Sequence, residues 1–169
     1  MLSLRLQVNP VPASRPRVSR FGTYYGKRHQ AFRSSATALL SEMRERGDLP
    51  EPPLSGRLKV QVIFHVKKPK HTTLKTPRGD IDNYCKILLD CCNKVVWGDD
   101  IQVVLMFAAK AFTDQDGWID LWVTELSDDA VNNVWQASED PQSEEHDPQS
   151  PNEQGDDFGG GGFVSVPDL

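Results

Sequence analysis

Four carboxylates and one lysine within a short stretch of the chain could perform chemistry together: Asp80, Asp82, Lys86, Asp99 and Asp100. Carboxylate oxygens are the ligands that Mg²⁺ prefers, and Mg²⁺ usually takes only a few of them before adding waters and substrate phosphates. A lysine beside such a site offsets the negative charge that develops on phosphoryl oxygens or a leaving group. The pattern therefore predicts a Mg²⁺ site that hydrolyses a phosphodiester.

A helix predicted over residues 82–94 would bring these side chains together. Asp82 suits the N-cap of this helix, and Lys86 follows one turn later on the same face. Asp80 lies two residues before Asp82, so an extended approach to the helix turns both carboxylates to the same side. We expect the acid pair at 99–100, in the turn after the helix, to close the site from the other side.

Each of these features also has a purely structural explanation. Asp82 can serve only as an N-cap. Lys86 and Asp90 can form a surface ion pair with little effect on stability, and residues 98–100 can form a simple turn. The metal site is favoured because all of these features share one local substructure next to basic loops.

Two basic segments accompany the acids. Residues 13–28 combine arginines and lysines with tyrosines and lack apolar periodicity, which predicts a loop or loose hairpin; residues 67–71 and 77–79 form a second basic loop. Cationic side chains can hold phosphates while aromatic rings stack on unpaired bases, although such charge runs are also typical of solvated faces. The candidate DNA-binding residues are Arg15, Arg17, Arg20, Tyr24, Tyr25, Lys27, Arg28, Lys68, Lys70 and Arg78.

Hydrophobic periodicity predicts the elements that position these groups. Apolar side chains follow strand or helix spacing in six segments. The predicted strands cover residues 2–8, 58–66, 101–112 and 118–126, and the predicted helices cover residues 29–46, with Gly47 as the C-cap, and 82–94. Together they predict an α/β (α+β) fold in which a small mixed sheet packs with two main helices.

The charge of the chain is divided unevenly between two regions. Of the 169 residues, 127–169 contain eleven Asp and Glu and no Lys or Arg, so the formal net charge of −5 leaves residues 1–126 with 13 acidic and 19 basic residues, or +6. We expect one domain over residues 1–126, with a polyanionic partner. The tail at residues 127–169 has a low apolar content, which predicts that it is disordered apart from a short turn at 131–135.

The cysteines and the lack of long apolar runs bear on the cellular compartment. Cys85, Cys91 and Cys92 are odd in number and lack C-x-x-C spacing, which disfavours a disulfide framework or a zinc site. No apolar run approaches the length of about 18 residues that suggests a membrane span. We therefore expect a protein of the reducing cytosol, without a membrane partner.

Two motifs at their particular separation resemble those of the RusA family of Holliday junction resolvases. They are D-x-D-N-x-x-K over residues 80–86 and D-D-x-Q-V-V over residues 99–104, and Pro and Arg residues at 10–17 resemble those of phage-type members. The resemblance covers residues 4–126. It implies a small mixed α/β homodimer that cuts four-way DNA junctions by symmetric paired nicks with Mg²⁺, in DNA recombination and repair.

The resemblance also implies roles for individual residues. The catalytic and metal-binding acids of the family fall on Asp80, Asp82 and Asp100, its essential lysine falls on Lys86, and Asp99 matches an adjacent acid. Residues 93–94 are Asn-Lys where many members have Asn-Gly, and the acidic tail lies outside the family pattern. A homodimer also fits the reaction, because two symmetric nicks require a two-fold axis.

Two other functions remain open. One is a non-catalytic module that binds branched DNA and whose carboxylates only cap and brace a helix. The other is an interaction role for the acidic tail, which would dock on a protein partner or fold back on the basic face and inhibit DNA binding. The second role is compatible with a nuclease.

Overall fold

The computed structural model describes residues 1–20, 22–127 and 129–130 as one sheet with two long helices and a small hairpin. The elements, in chain order, are β1 (Leu2–Leu6), β2 (Arg17–Ser19), β3 (Gly22–Tyr24), α1 (Lys27–Glu45), β4 (Arg57–Lys67), α2 (Ile81–Cys92), the 3₁₀ helix η1 (Asp100–Gln102), β5 (Val103–Thr113) and β6 (Trp118–Leu126). The fold class predicted from the sequence is confirmed.

The main sheet is mixed, with the strand order β1-β6-β4-β5. β4 pairs with β5 in parallel and with β6 in antiparallel fashion, and β1 pairs antiparallel with β6. A parallel pair needs a long crossover, and α2 supplies it between β4 and β5. The helix therefore runs back along the sheet, which sets where its two ends lie.

Alternation along the strands builds the core on one face of the sheet. In β4, Leu58, Val60, Val62 and Phe64 are buried, while the residues between them are only partly buried. They share one apolar cluster with the buried stripes of α1 and α2. The sheet thus anchors α2, whose N-terminus carries two of the predicted site residues.

Several predicted boundaries shift. The N-terminal strand ends at Leu6, α1 begins at Lys27, and the predicted hairpin is present as β2 and β3. α1 ends at Glu45 with Arg46 as its C-cap, one residue before the C-cap predicted at Gly47, and Gly47 follows with a positive φ of 78°. The amides of Gly47 and Asp48 donate to the carbonyls of Arg44 and Met43, which satisfies the last turn of the helix.

The strand predicted to begin at residue 101 begins instead at Val103, because η1 occupies residues 100–102. The predicted disorder of the tail beyond residue 130 and the turn at 131–135 lie outside the described residues, and the division into a domain and a tail stays a prediction. Within the described part of the chain, no helix is long and apolar enough to cross a membrane.

Candidate active site

The N-terminus of α2 presents two exposed carboxylates. Asp80 is the N-cap, with φ −75° and ψ 147°, and its side chain makes no capping hydrogen bond. The prediction of Asp82 as N-cap is wrong: the chain is still extended at Asp80 and becomes helical one residue later, which places Asp82 in the first turn. Both acids are exposed, and the positive end of the helix dipole favours their charge.

A set of contacts fixes the chain that leads into α2. Gly79 has a φ of 90°, and a Cβ there would lie 2.8 Å from Cγ of Pro12, so a larger residue would be strained. The amine of Lys110 donates to the carbonyl of Pro77 at 3.0 Å and also to that of Gly79. The hydroxyl of Tyr84 donates to the carbonyl of Arg78 at 2.7 Å. The two carboxylates therefore project from a braced segment.

Sequence reasoning missed Lys110. The signal was available, because Lys110 is the one charged residue in β5, which is apolar apart from Lys110 and the terminal Thr113. Its amine also lies 5.7 Å from the centroid of the Tyr84 ring. A lone lysine in an apolar strand indicates a specific partner, here the two carbonyls that precede α2.

Asp82 and Lys86 lie one turn apart on the exposed face of α2. Oδ1 of Asp82 accepts a hydrogen bond from the side-chain Nδ2 of Asn83 at 3.3 Å. The salt bridges of the described residues include neither Asp82 nor Lys86, so the ion pair between Lys86 and Asp90 is not formed. Burial, with the charge of Asp82, raises the pKa of Cys85 to about 11. This thiol therefore stays neutral at pH 7.

Asp99 and Asp100 lie in the turn that precedes β5. Asp99 is the N-cap of η1: its Oδ1 accepts from the amide of Ile101 at 3.2 Å, and its own amide donates to Oε1 of Gln102 at 2.8 Å. Nζ of Lys94 lies 3.8 Å from Oδ2 of Asp99. Asp100 is partly buried. Asp99 thus braces the turn that carries Asp100.

Gln102, which sequence reasoning identified only through the family motif, has a structural task. Its side-chain Nε2 donates to the carbonyls of Leu54 and Gly56 at 3.1 and 2.9 Å. These bonds tie the turn to the connector that leads into β4. The second motif therefore holds the starts of β4 and β5 together.

The two acid pairs lie at opposite ends of α2. Gly79, beside Asp80, contacts Lys110 towards the end of β5, whereas Asp100 lies just before the start of β5. Helix and strand rises put the separation on the order of 20 Å. Accordingly, the described residues contain no group of three or more His, Cys, Asp or Glu side chains that could hold a metal. A single chain does not bring the pair at 99–100 to Asp80 and Asp82, contrary to expectation.

The first basic segment is split between the hairpin and the start of α1. Arg17 and Tyr24 face each other across β2 and β3, and both are exposed. Tyr25 stacks on His29, with ring centroids 4.3 Å apart, so one of its faces is already covered. The remaining cations of this segment are exposed on the surface: Arg15, Arg20, Lys27 and Arg28.

A cavity of about 620 Å³ lies beside the start of α2. We call it the basic pocket, and its charged lining consists of Arg28, Lys67, Lys70, His71 and Arg78. It brings together three of the predicted DNA-binding residues from two distant segments. Lys68 is outside this lining; its amide donates to the carbonyl of Thr113 at 2.8 Å.

The comparison with known families agrees with this arrangement. The family model described as Endodeoxyribonuclease RusA matches residues 7–121. The match covers more than half of the chain and includes both acid pairs and Lys86. By class the protein is an endodeoxyribonuclease.

The chain belongs to the RusA family, whose members are metal-dependent nucleases of branched DNA. A comparison with curated proteins finds no match.

Proposed function

We propose that this protein is a Mg²⁺-dependent endonuclease that resolves Holliday junctions or other branched DNA in recombination and repair by symmetric paired nicks. The observation that carries the proposal is the pair of exposed carboxylates, Asp80 and Asp82, on a braced helix start next to a pocket lined with cations. We expect the protein to act on such junctions in the cytosol of a bacterium or of a phage-infected cell.

The donors at the start of α2 suit Mg²⁺. Asp80 and Asp82 offer hard oxygens, and neither is neutralised by a cation in the described salt bridges. Two carboxylates are enough for Mg²⁺ when waters and a substrate phosphate complete the coordination. Bound there, Mg²⁺ would polarise the scissile phosphate and make a nearby water more acidic.

The side chain of Lys86 has a different role. It is exposed one turn from Asp82 and has no acidic partner in the described structure. Its ammonium is therefore available to a phosphate, where it would stabilise the charge that develops on the phosphoryl oxygens or on the leaving group. The cations of the basic segments would hold the neighbouring phosphates of the DNA arms.

A homodimer would give Asp100 a role in this site. Because one chain separates the acid pairs, Asp100 can join Asp80 and Asp82 only if a second copy supplies it. An exposed apolar patch lies next to Asp100, formed by Ile101, Val104 and Phe107, which are 84%, 44% and 54% exposed. β5 is also an edge strand, which a second copy can cover.

The function is tested with synthetic four-way, forked and linear duplex DNA in the presence of Mg²⁺. The wild-type protein should nick the four-way junction at paired symmetric positions, and Asp82→Asn should abolish nicking while binding stays the same or tightens, because a charge that repels phosphate is lost. Asp48→Asn, the same change at an exposed aspartate after α1, is the matched control. An Asp82→Asn protein that still cuts would overturn the proposal; tight binding without nicking by the wild type would support the non-catalytic module.

The shared site is tested by mixing two inactive variants. Asp82→Asn and Asp100→Asn would each be inactive alone. If a site combines acids from two chains, their heterodimer keeps one complete site and should make one nick per junction. If each site lies within one chain, the heterodimer keeps no complete site and the mixture stays inactive.

The acidic tail is a further candidate for regulation. Its eleven acidic residues and the net charge of +6 on residues 1–126 are complementary. We propose that the tail either competes with DNA for the basic face or binds a basic protein partner.

A further inference from the structure

Several parts of the chain form the basic pocket. The loop after β1, the start of α1 and the loop between β4 and α2 surround it, together with the ends of β4 and β5 and Tyr84 of α2. Its lining contains four Lys or Arg and one His but no Asp or Glu. A cavity with this lining favours a ligand that carries negative charge.

Three of the cations are free to meet that ligand. Lys67 is paired with Asp116 at 2.6 Å, whereas Arg28, Lys70 and Arg78 take part in none of the salt bridges found in the described part of the chain. The backbone of Arg78 is held by the hydroxyl of Tyr84. Within the described residues, the pocket therefore offers three cations that form no salt bridge with an acid.

The remaining walls of the pocket are largely apolar. Pro10, Pro12, Leu74 and Phe112 line it, and Leu74 is 41% exposed. A phosphate ion needs no apolar wall, and a base-paired duplex is too wide for a cavity of this volume. A single nucleotide combines a phosphate for the cations with a flat base for the apolar walls.

The position of the pocket relates it to the acids. Gly79 belongs to its lining and directly precedes Asp80. A nucleotide in the pocket would therefore lie close to the phosphate held at Asp80 and Asp82. At a branch point, bases unstack more easily than in a duplex, so less free energy is needed to place one in a pocket.

We propose that the basic pocket binds one unpaired nucleotide of the DNA strand at the branch, with its phosphate on Arg28, Lys70 and Arg78 and its base against Leu74 and the prolines. The pocket would thereby distinguish branched or distorted DNA from duplex before any cleavage. That the nucleotide belongs to a branched DNA substrate rests on the proposed nuclease function. That the pocket binds an unpaired nucleotide does not.

The test compares two labelled duplexes of the same sequence, one fully paired and one with a single bulged nucleotide, by fluorescence anisotropy in EDTA. The wild type should prefer the bulged DNA. Leu74→Ala should reduce this preference about fivefold to tenfold without changing the salt dependence of binding. Lys70→Ala and Arg78→Ala should also lower the slope of log affinity against log salt, by about 0.7 each.

Lys75→Ala is the matched control, because Lys75 lies in the same loop but outside the pocket lining; it should keep the preference. Thermal melting checks that each variant is folded. Equal loss of affinity for both DNAs in Leu74→Ala, or no preference in the wild type, would overturn the proposal. So would full competition by inorganic phosphate at millimolar concentration, which would indicate an anion site only.

The outcomes also separate this proposal from the nuclease function. If the protein prefers bulged DNA in EDTA but never nicks a junction with Mg²⁺, the pocket proposal stands and the proposed nuclease function is wrong. If the protein nicks junctions but shows no preference for bulged DNA, the nuclease function stands and the pocket proposal is wrong.

Discussion

Asp120 on β6 and the acids at the start of α2 are carboxylates in opposite situations. Asp120 is 8% exposed, and its oxygens lie 2.6 Å from Nε of Arg5, 2.9 Å from Nε1 of Trp118 and 3.1 Å from Nε2 of His65. Asp80 and Asp82 are exposed and contact no cation in the described structure. All three are aspartates, but only Asp120 has a full set of internal partners.

The comparison separates a carboxylate that stabilises the fold from one that is available to a ligand. Burial by itself raises the pKa of Asp120, but the hydrogen bonds from Arg5 and Trp118 and the charges of Arg5 and His65 outweigh burial and hold this pKa below its usual range. Its surroundings therefore favour the ionised form. In the described structure the pair at the start of α2 has only the hydrogen bond from the side chain of Asn83 to Asp82, which leaves its other oxygens open to a metal.

The largest effect should come from Asp80→Asn. We expect the rate of junction nicking to fall at least about 100-fold, because a direct metal ligand should matter more than the outer partners of a metal site, whose loss typically costs 10–100-fold. The free energy of unfolding should stay within about 0.5 kcal/mol of the wild type, since the residue is exposed. Single-turnover nicking and urea unfolding measure the two. A large loss of stability would place Asp80 in the same category as Asp120.

Asp120→Asn should have the opposite profile. The free energy of unfolding should fall by about 2 kcal/mol, because the buried end of Trp118 and its neighbours lose a charged acceptor. Nicking by the folded protein should be unchanged. Asp48→Asn is the control, because Asp48 forms an exposed pair with Arg46 at 3.0 Å and its loss should cost no more than about 1 kcal/mol.

The exposed patch beside Asp100 offers a test that links structure to function. Phe107→Glu should weaken self-association about tenfold, because a charge would be buried in the proposed contact between copies. Analytical ultracentrifugation measures the dimerisation, and nicking at dilute protein should fall in parallel. Nζ of Lys59 lies 5.5 Å from the centroid of the Phe107 ring. Lys59→Gln therefore tests whether any change near the ring has the same effect. Unchanged association in Phe107→Glu would exclude this patch as the contact.

The tail at residues 127–169 carries a third group of carboxylates, besides Asp120 and the acids at the start of α2. Deleting residues 130–169 should tighten junction binding several-fold if the tail occupies the basic face. The salt dependence should steepen by about 1 for each additional phosphate that the uncovered cations neutralise. Binding isotherms across a salt series measure both quantities. Identical slopes for the two proteins would argue instead for a separate protein partner.

The smallest effect should be the response of stability to acid. The pKa of Asp120 is lower in the folded protein than in the unfolded chain, so the unfolded chain binds more protons as the pH falls. The stabilisation by Asp120 is thus complete above the unfolded pKa of about 3.9 and is lost as the pH falls through the folded value. Urea unfolding from pH 6 downwards should show the difference between wild type and Asp120→Asn narrowing at acidic pH.

Local patterns were sufficient for much of the fold and for the position of part of the candidate site, while the roles of its residues stay predictions. Alternation placed β4 and β6 to within a residue or two, and the helical stripe placed α1 and α2. The motif over residues 80–86 identified the exposed acids and Lys86. The N-cap was misplaced by two residues because Asp80 and Asp82 are both good N-cap types, and only the backbone before the helix distinguishes them.

The sequence by itself determined which residues are apolar, charged or helix-forming, because these depend on side-chain chemistry and short-range spacing. The tertiary structure decided which charges meet. Parallel pairing of β4 with β5 forces α2 to run back along the sheet, so the acids before and after the helix lie at opposite ends. The same packing pairs Asp120 with Arg5 and His65 and places Arg28, Lys70 and Arg78 in the lining of one pocket. Such contacts depend on long-range pairing, which no local pattern in the sequence encodes.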